Sequence, residues 1–100
     1  KYFNFWKYKN IDDLSNLFDE EVKLQDWEHF IKGKDALIKF NVDFFNSVNS
    51  LDLKVVSFHF DQNITFSELR ININDKQLTV FDKITFSDKL LITQIRAFKG

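Results

Sequence analysis

Two aspartates stand where apolar residues are expected. The stretch LTVFDKITF (residues 78–86) has the β-branched and aromatic content of a strand, and it alternates strictly. Its apolar face carries Leu78, Val80, Asp82, Ile84 and Phe86, with the carboxyl at the centre. Residues 22–27 (VKLQDW) repeat the pattern, with Asp26 on the face of Val22 and Leu24. A carboxyl on such a face loses hydration, which disfavours its charged form and raises its pKa. Once neutral, it can donate a hydrogen bond, whereas a carboxylate can only accept. Perturbed carboxyls in a cleft are candidates for proton transfer. Each also has a structural reading. Asp82 could be held by a backbone group or a tyrosine, and Asp26 could end its strand and cap the next turn. His29, in the loop after Asp26, lies either at a pocket mouth or in solvent; His59 falls on an outer sheet face with Ser57 and Asp61.

The elements that must position these residues are legible from periodicity. Residues 2–9 and 11–18 read as short helices, the second with Ile11, Leu14, Leu17 and Phe18 on a helical period. A first strand covers 22–27. Residues 34–48 form the longest helix, with Leu37, Ile38, Phe40, Val42, Phe44, Phe45 and Val48 over more than half its circumference. Such a helix must be covered on two sides. Four strands follow, at 51–61, 64–74, 77–87 and 90–99. The two-residue breaks Gln62-Asn63, Asp75-Lys76 and Asp88-Lys89 predict an antiparallel meander. In that register Asp82 faces Leu69 and Ile95, and one face collects Val56, Phe58, Leu69, Ile71, Ile73, Val80, Ile84 and Ile95. Arg70 and Arg96 fall on the other face, so neither neutralises Asp82. Asp12 and Asp13 suit a helix N-terminus, and Asp19, Glu20 and Glu21 read as loop charges.

Composition narrows the function classes. One hundred residues suffice for one core, so residues 1–100 are expected to form a single domain. Thirteen Phe give that core unusual aromatic area, and zero Pro with two Gly leaves turns to Asn and Asp. A net charge of -1 with no basic run argues against nucleic acid. The absence of Cys excludes disulfides and thiolate sites. No tight ligand spacing predicts a metal, and no cofactor is expected. No apolar run reaches the roughly 18 residues of a membrane span. A cytoplasmic location is the expectation.

The order helix, helix, strand, long helix, four-strand meander resembles the nuclear transport factor 2-like superfamily, which includes SnoaL-like cyclases and ketosteroid isomerases. The resemblance is carried by NIDDLSNLF (10–18), VKLQDW (22–27), GKDALIKF (33–40), FDKITF (81–86) and ITQIRAFKG (92–100). It implies an α+β fold of cystatin-like architecture: a cone-shaped, curved, mainly antiparallel β-sheet wrapped around a long helix, with N-terminal helices and an apolar pocket. In the ketosteroid isomerase branch it implies a base at Asp26 and oxyanion donors at Tyr2 and Asp82. The residue after the base departs from the family's usual Pro and is Trp27 here. Such a trio serves proton transfer next to a carbonyl. Trp6, Trp27, Phe40, Phe44, Phe58, Leu69 and Val80 are the expected apolar wall for a small ligand, although such aromatics also serve as plain core. Dehydratases of the superfamily use a His pair with Asp and Tyr, so His29 and His59 stay in view.

The outer sheet face is expected to carry Phe66, Phe81, Ile92 and Phe98, a patch large enough to mark a homodimer interface. Two function classes remain open from sequence: a small isomerase or cyclase acting on an apolar carbonyl compound, and a non-catalytic ligand-binding or association domain. An interior cavity bordered by Tyr2, Asp26 and Asp82, as against one filled by Phe and Trp, separates them.

Overall fold

The computed structural model describes all residues, Lys1–Gly100. Its elements are α1 (Tyr2–Lys7), α2 (Ile11–Ser15), β1 (Phe18–Gln25), β2 (Phe30–Lys32), α3 (Lys34–Ser47), β3 (Leu51–Asp61), β4 (Ile64–Ile73), β5 (Lys76–Phe86) and β6 (Ile92–Lys99). They build an α+β cone: one curved, mostly antiparallel sheet in the order β2-β1-β6-β5-β4-β3, with the helices on its concave side. One pairing is parallel, β1 beside β6. No helix is long and apolar enough to cross a membrane.

Local chemistry explains the boundaries. Asn10 caps α2 by accepting from the Asp13 backbone N–H, with Asp12 and Asp13 in the first turn. Gly33 starts α3 at φ 96, a conformation L side chains rarely adopt. Lys9 donates from Nζ to the Phe45 and Val48 carbonyls (3.0 and 3.1 Å), holding the C-terminal end of α3. The main core joins Leu14, Phe18, Val22, Leu24, Leu37, Phe45, Ile84, Ile92 and Ile95. A smaller cluster of Leu53, Leu69, Ile71 and Val80 lies under Phe3 and Trp6 of α1.

The structure corrects the expected register in four places. A sixth strand, β2, pairs with β1 where the sequence predicts a loop. The β4–β5 turn is Asn74-Asp75, not Asp75-Lys76, because Ile73 pairs with Lys76. Both turn residues have positive φ (50 and 70), as a type I′ hairpin requires. Residues 87–91 form a longer loop in place of the Asp88-Lys89 hairpin, with Ser87 Oγ accepting from the Lys89 and Leu91 amides. Asp82 therefore faces Ser67 and Ala97, not Leu69 and Ile95. Each slip is two residues, a full pleat period, so the inward face of β5 is unchanged.

Two irregularities do change faces. β3 bulges between Val55 and Ser57, leaving Val56 unpaired. Leu53, upstream, becomes the buried residue, while Val56 and Phe58 are 41% and 52% exposed. A second irregularity, between Thr85 and Phe86, turns Ile92 inward, where it is 1% exposed and pairs with both Phe86 and Phe18. Ile92 is thus core and not outer face. Asp19, Glu20 and Glu21 lie within β1, where its pairing with β6 shifts between Phe18 and Lys23.

Candidate functional site

Between α1, α3 and the concave sheet lies a cavity of about 220 Å³. Fifteen of its twenty lining residues are hydrophobic, so its few polar groups stand out. They are Tyr2 from α1, Asp82 from β5, Asn41 from α3, and Asp26, Glu28 and His29 from the turn joining β1 to β2. The three residues singled out by resemblance, Tyr2, Asp26 and Asp82, thus border one space although the chain separates them. Of the expected wall, Trp6, Trp27, Phe40, Phe44, Leu69 and Val80 line it. Phe58 does not: it keeps its expected pairing with Ser67, yet it is 52% exposed and outside the cavity. Trp6 is held by stacking on Phe44 at 5.5 Å and by an edge contact with Phe45.

Burial pushes the Asp82 carboxyl up to about 7, and no partner opposes that shift. The hydrogen-bonded structural reading of Asp82 therefore finds no support. Tyr2 packs edge-on against Phe3 at 5.4 Å, and its ring also meets Phe18. Its phenol is raised, first by burial and then by the Asp82 charge, so it stays a donor at any ordinary pH.

Asp26 behaves differently. Its Oδ1 accepts from the backbone N–H of Glu28 (2.7 Å) and of His29 (2.6 Å), while its own N–H donates to the His29 carbonyl (2.9 Å). The structural expectation for this residue, a cap on the turn after its strand, is what the chain adopts. Its carboxylate also meets the His29 ring, with Nδ1 3.2 Å from Oδ1 and 3.3 Å from Oδ2. The imidazole lies edge-on to Phe40 at 4.9 Å.

Phe3, Glu28, Asn41 and Leu53 line the cavity and escaped the sequence reading. Asn41 is 3% exposed and donates back to the Leu37 carbonyl at 3.1 Å. Its signal is helical spacing: Leu37, Asn41 and Phe45 form one buried stripe with an amide in the middle. Leu53 was hidden by the bulge. Arg70 and Arg96 stay on the outer face as expected, with Arg96 5.1 Å from the Phe98 ring centre. His59 is also there, opposite Phe66, and far from a pairing with His29 across the cavity. No group of three or more His, Cys, Asp or Glu could hold a metal ion.

Comparison with known proteins follows the same lines. No family model and no curated protein matches the chain. Among solved structures, a protein assigned as a ketosteroid isomerase from Kribbella flavida DSM 17836 superposes with TM-score 0.90 at 18% identity, over 100% of this chain and 73% of that one. A SnoaL-like family protein assigned as an isomerase, from Agrobacterium tumefaciens str. C58, gives 0.85 at 11% identity, over 99% and 91%. A protein assigned as a polyketide cyclase from Sinorhizobium meliloti gives 0.86 at 15% identity, over 96% and 88%. The chain therefore has the nuclear transport factor 2-like fold of the SnoaL and ketosteroid isomerase type. At these identities the likeness is one of fold.

Proposed function

We propose that the cavity takes a small apolar carbonyl compound and that the chain is an isomerase or cyclase working by proton transfer next to that carbonyl. One observation carries the reading: Asp82, unpartnered and raised by burial, borders the same apolar space as the Tyr2 phenol. Below pH 7 these are two neutral donors in an apolar site, and they suit an oxygen that gains charge as a carbon-bound proton leaves. The basic end is the Asp26–His29 pair at the turn between β1 and β2. Fold neighbours assigned as isomerases and a cyclase lend general support.

The test is binding of 2-naphthol, whose phenolic oxygen mimics an enolate, followed by the fluorescence of Trp6 and Trp27. Asp82→Leu and Tyr2→Phe should each weaken binding tenfold or more, the loss of one good hydrogen bond in an apolar site. Affinity unchanged in both variants would remove the reading. A second reading, a pocket that binds without catalysis, is favoured by the engagement of Asp26 Oδ1 with two backbone amides.

We further propose a homodimer through the outer sheet face. Phe66, Phe81 and Phe98 are each 44–48% exposed there, and Phe81 pairs with Phe98 across β5 and β6. The buried Nε of Arg96 has no partner within the chain, which suits a face that a second copy completes.

A further inference from the structure

We infer that His29, through Nε2, is the group that takes the proton from substrate carbon, and that Asp26 is its positioning residue. The inference rests on the proton-transfer reading above and names the atom that performs it. Asp26 is poorly placed to act alone. Its Oδ1 already accepts from two backbone amides at 2.7 and 2.6 Å, and both oxygens meet the imidazole. Moving a proton onto that carboxylate would break into the hydrogen bonds that shape the turn.

The same geometry prepares His29. A carboxylate only accepts, so in the neutral ring Nδ1 is the nitrogen that carries the hydrogen in the 3.2 Å contact with Asp26. The lone pair is then left on Nε2, which has no partner in the chain. Phe40 packs edge-on to the ring and restrains its rotation. His29 borders the cavity, yet its side chain is 45% exposed. One flank can meet substrate while the other exchanges protons with water. The Asp26 carboxyl group against Nδ1 then stabilises the imidazolium that forms. Glu28 also borders the mouth, but no contact holds its carboxylate in place.

The step balances as follows. The bond between hydrogen and the carbon next to the carbonyl breaks, and the proton goes to the Nε2 lone pair. The electron pair of that bond becomes the carbon–carbon double bond of the enolate. The carbonyl oxygen takes the negative charge, opposite the Tyr2 hydroxyl and the neutral Asp82 carboxyl. Return of a proton from His29 to carbon closes the cycle without any other reactant.

The experiment is hydrogen–deuterium exchange into 2-tetralone, a bicyclic ketone, followed by NMR in deuterated buffer. His29→Gln should slow enzymic exchange about 10²–10⁴-fold, the usual size of a general-base contribution. His29→Ala should lose as much and regain part of it when imidazole is added, which a merely structural role would not allow. Nitrogen NMR should find His29 with its hydrogen on Nδ1 in the unmodified chain, and Asp26→Asn should erase that preference. His29→Gln at the unmodified rate, with the loss confined to Asp26→Asn or Glu28→Gln, would overturn the inference and leave the proposed function standing. No exchange above buffer by the unmodified chain would instead overturn the proton-transfer reading, and the role of His29 with it.

Discussion

At the scale of the residue, Asp82 couples stability to pH. An aspartate in an unfolded chain titrates near pH ~4, whereas burial pushes Asp82 up to about 7 in the fold. Below the lower value both states hold the proton and the residue is neutral with respect to folding. Between the two values the unfolded chain releases its proton while the fold keeps it. The unfolded state then binds fewer protons, so stability falls as pH rises and the loss is complete above the folded value. The full cost is on the order of 4 kcal/mol. Asp82→Asn should therefore match the unmodified chain near pH 4 and exceed it by roughly 2–4 kcal/mol at pH 8. Denaturant unfolding at the two pH values measures this, and equal stability at pH 8 would mean an ordinary carboxylate. The same variant should bind 2-naphthol, because an amide still donates, but less tightly than a neutral acid does. Asp26 offers the contrast. It sits on the same kind of apolar face, yet its turn amides and His29 engage it fully.

At the scale of the element, the junction of β2 and α3 sets the long helix over the cavity. Gly33 makes it with φ 96 and ψ 148, and a Cβ placed there would touch nothing within 4 Å. A substitution at Gly33 is thus free of clash and meets backbone strain alone. Gly33→Ala should cost roughly 1–3 kcal/mol, measured as a lower denaturation midpoint with an unchanged slope. A cost near zero would show that the junction relaxes. The β3 bulge is the second such device. It puts Leu53 into the core. Phe58, beyond the bulge, is exposed and outside the cavity wall, so Phe58→Ala should leave 2-naphthol affinity unchanged. Trp6→Ala, by contrast, removes a ring stacked on Phe44 and packed on both core clusters. It should cost about 3–5 kcal/mol of stability.

At the scale of the whole molecule, the two sheet faces divide the work. The concave face holds the cores and the cavity, and the outer face presents Phe66, Phe81 and Phe98 with Arg96 against Phe98. In the proposed homodimer Phe81→Asp should shift the chain to monomer at micromolar concentration, read by light scattering, while naphthol binding persists. A monomeric unmodified chain would remove the dimer. The small net charge of -1 leaves little repulsion between copies.

Sequence alone determined the class of fold, because alternation and helical period follow directly from which side chains must leave water. It also put Asp82 on the inward face, since slips of two residues preserve the pleat. Tertiary structure decided what depends on single backbone irregularities. A strand that gains one residue, as β3 does at Val56, exchanges its faces, and nothing in its apolar run LDLKVVSFHF announces where. Ile92 moved from surface to core for the same reason. The shared cavity of Tyr2, Asp26 and Asp82 was legible only through resemblance, because periodicity gives a residue's face and not its distance from another element. The contact of His29 with Asp26 lies three residues apart in sequence. Yet it depends on the turn that joins the paired β1 and β2, where Asp26 Oδ1 accepts from the Glu28 and His29 amides, and no helical or strand period signals such a turn.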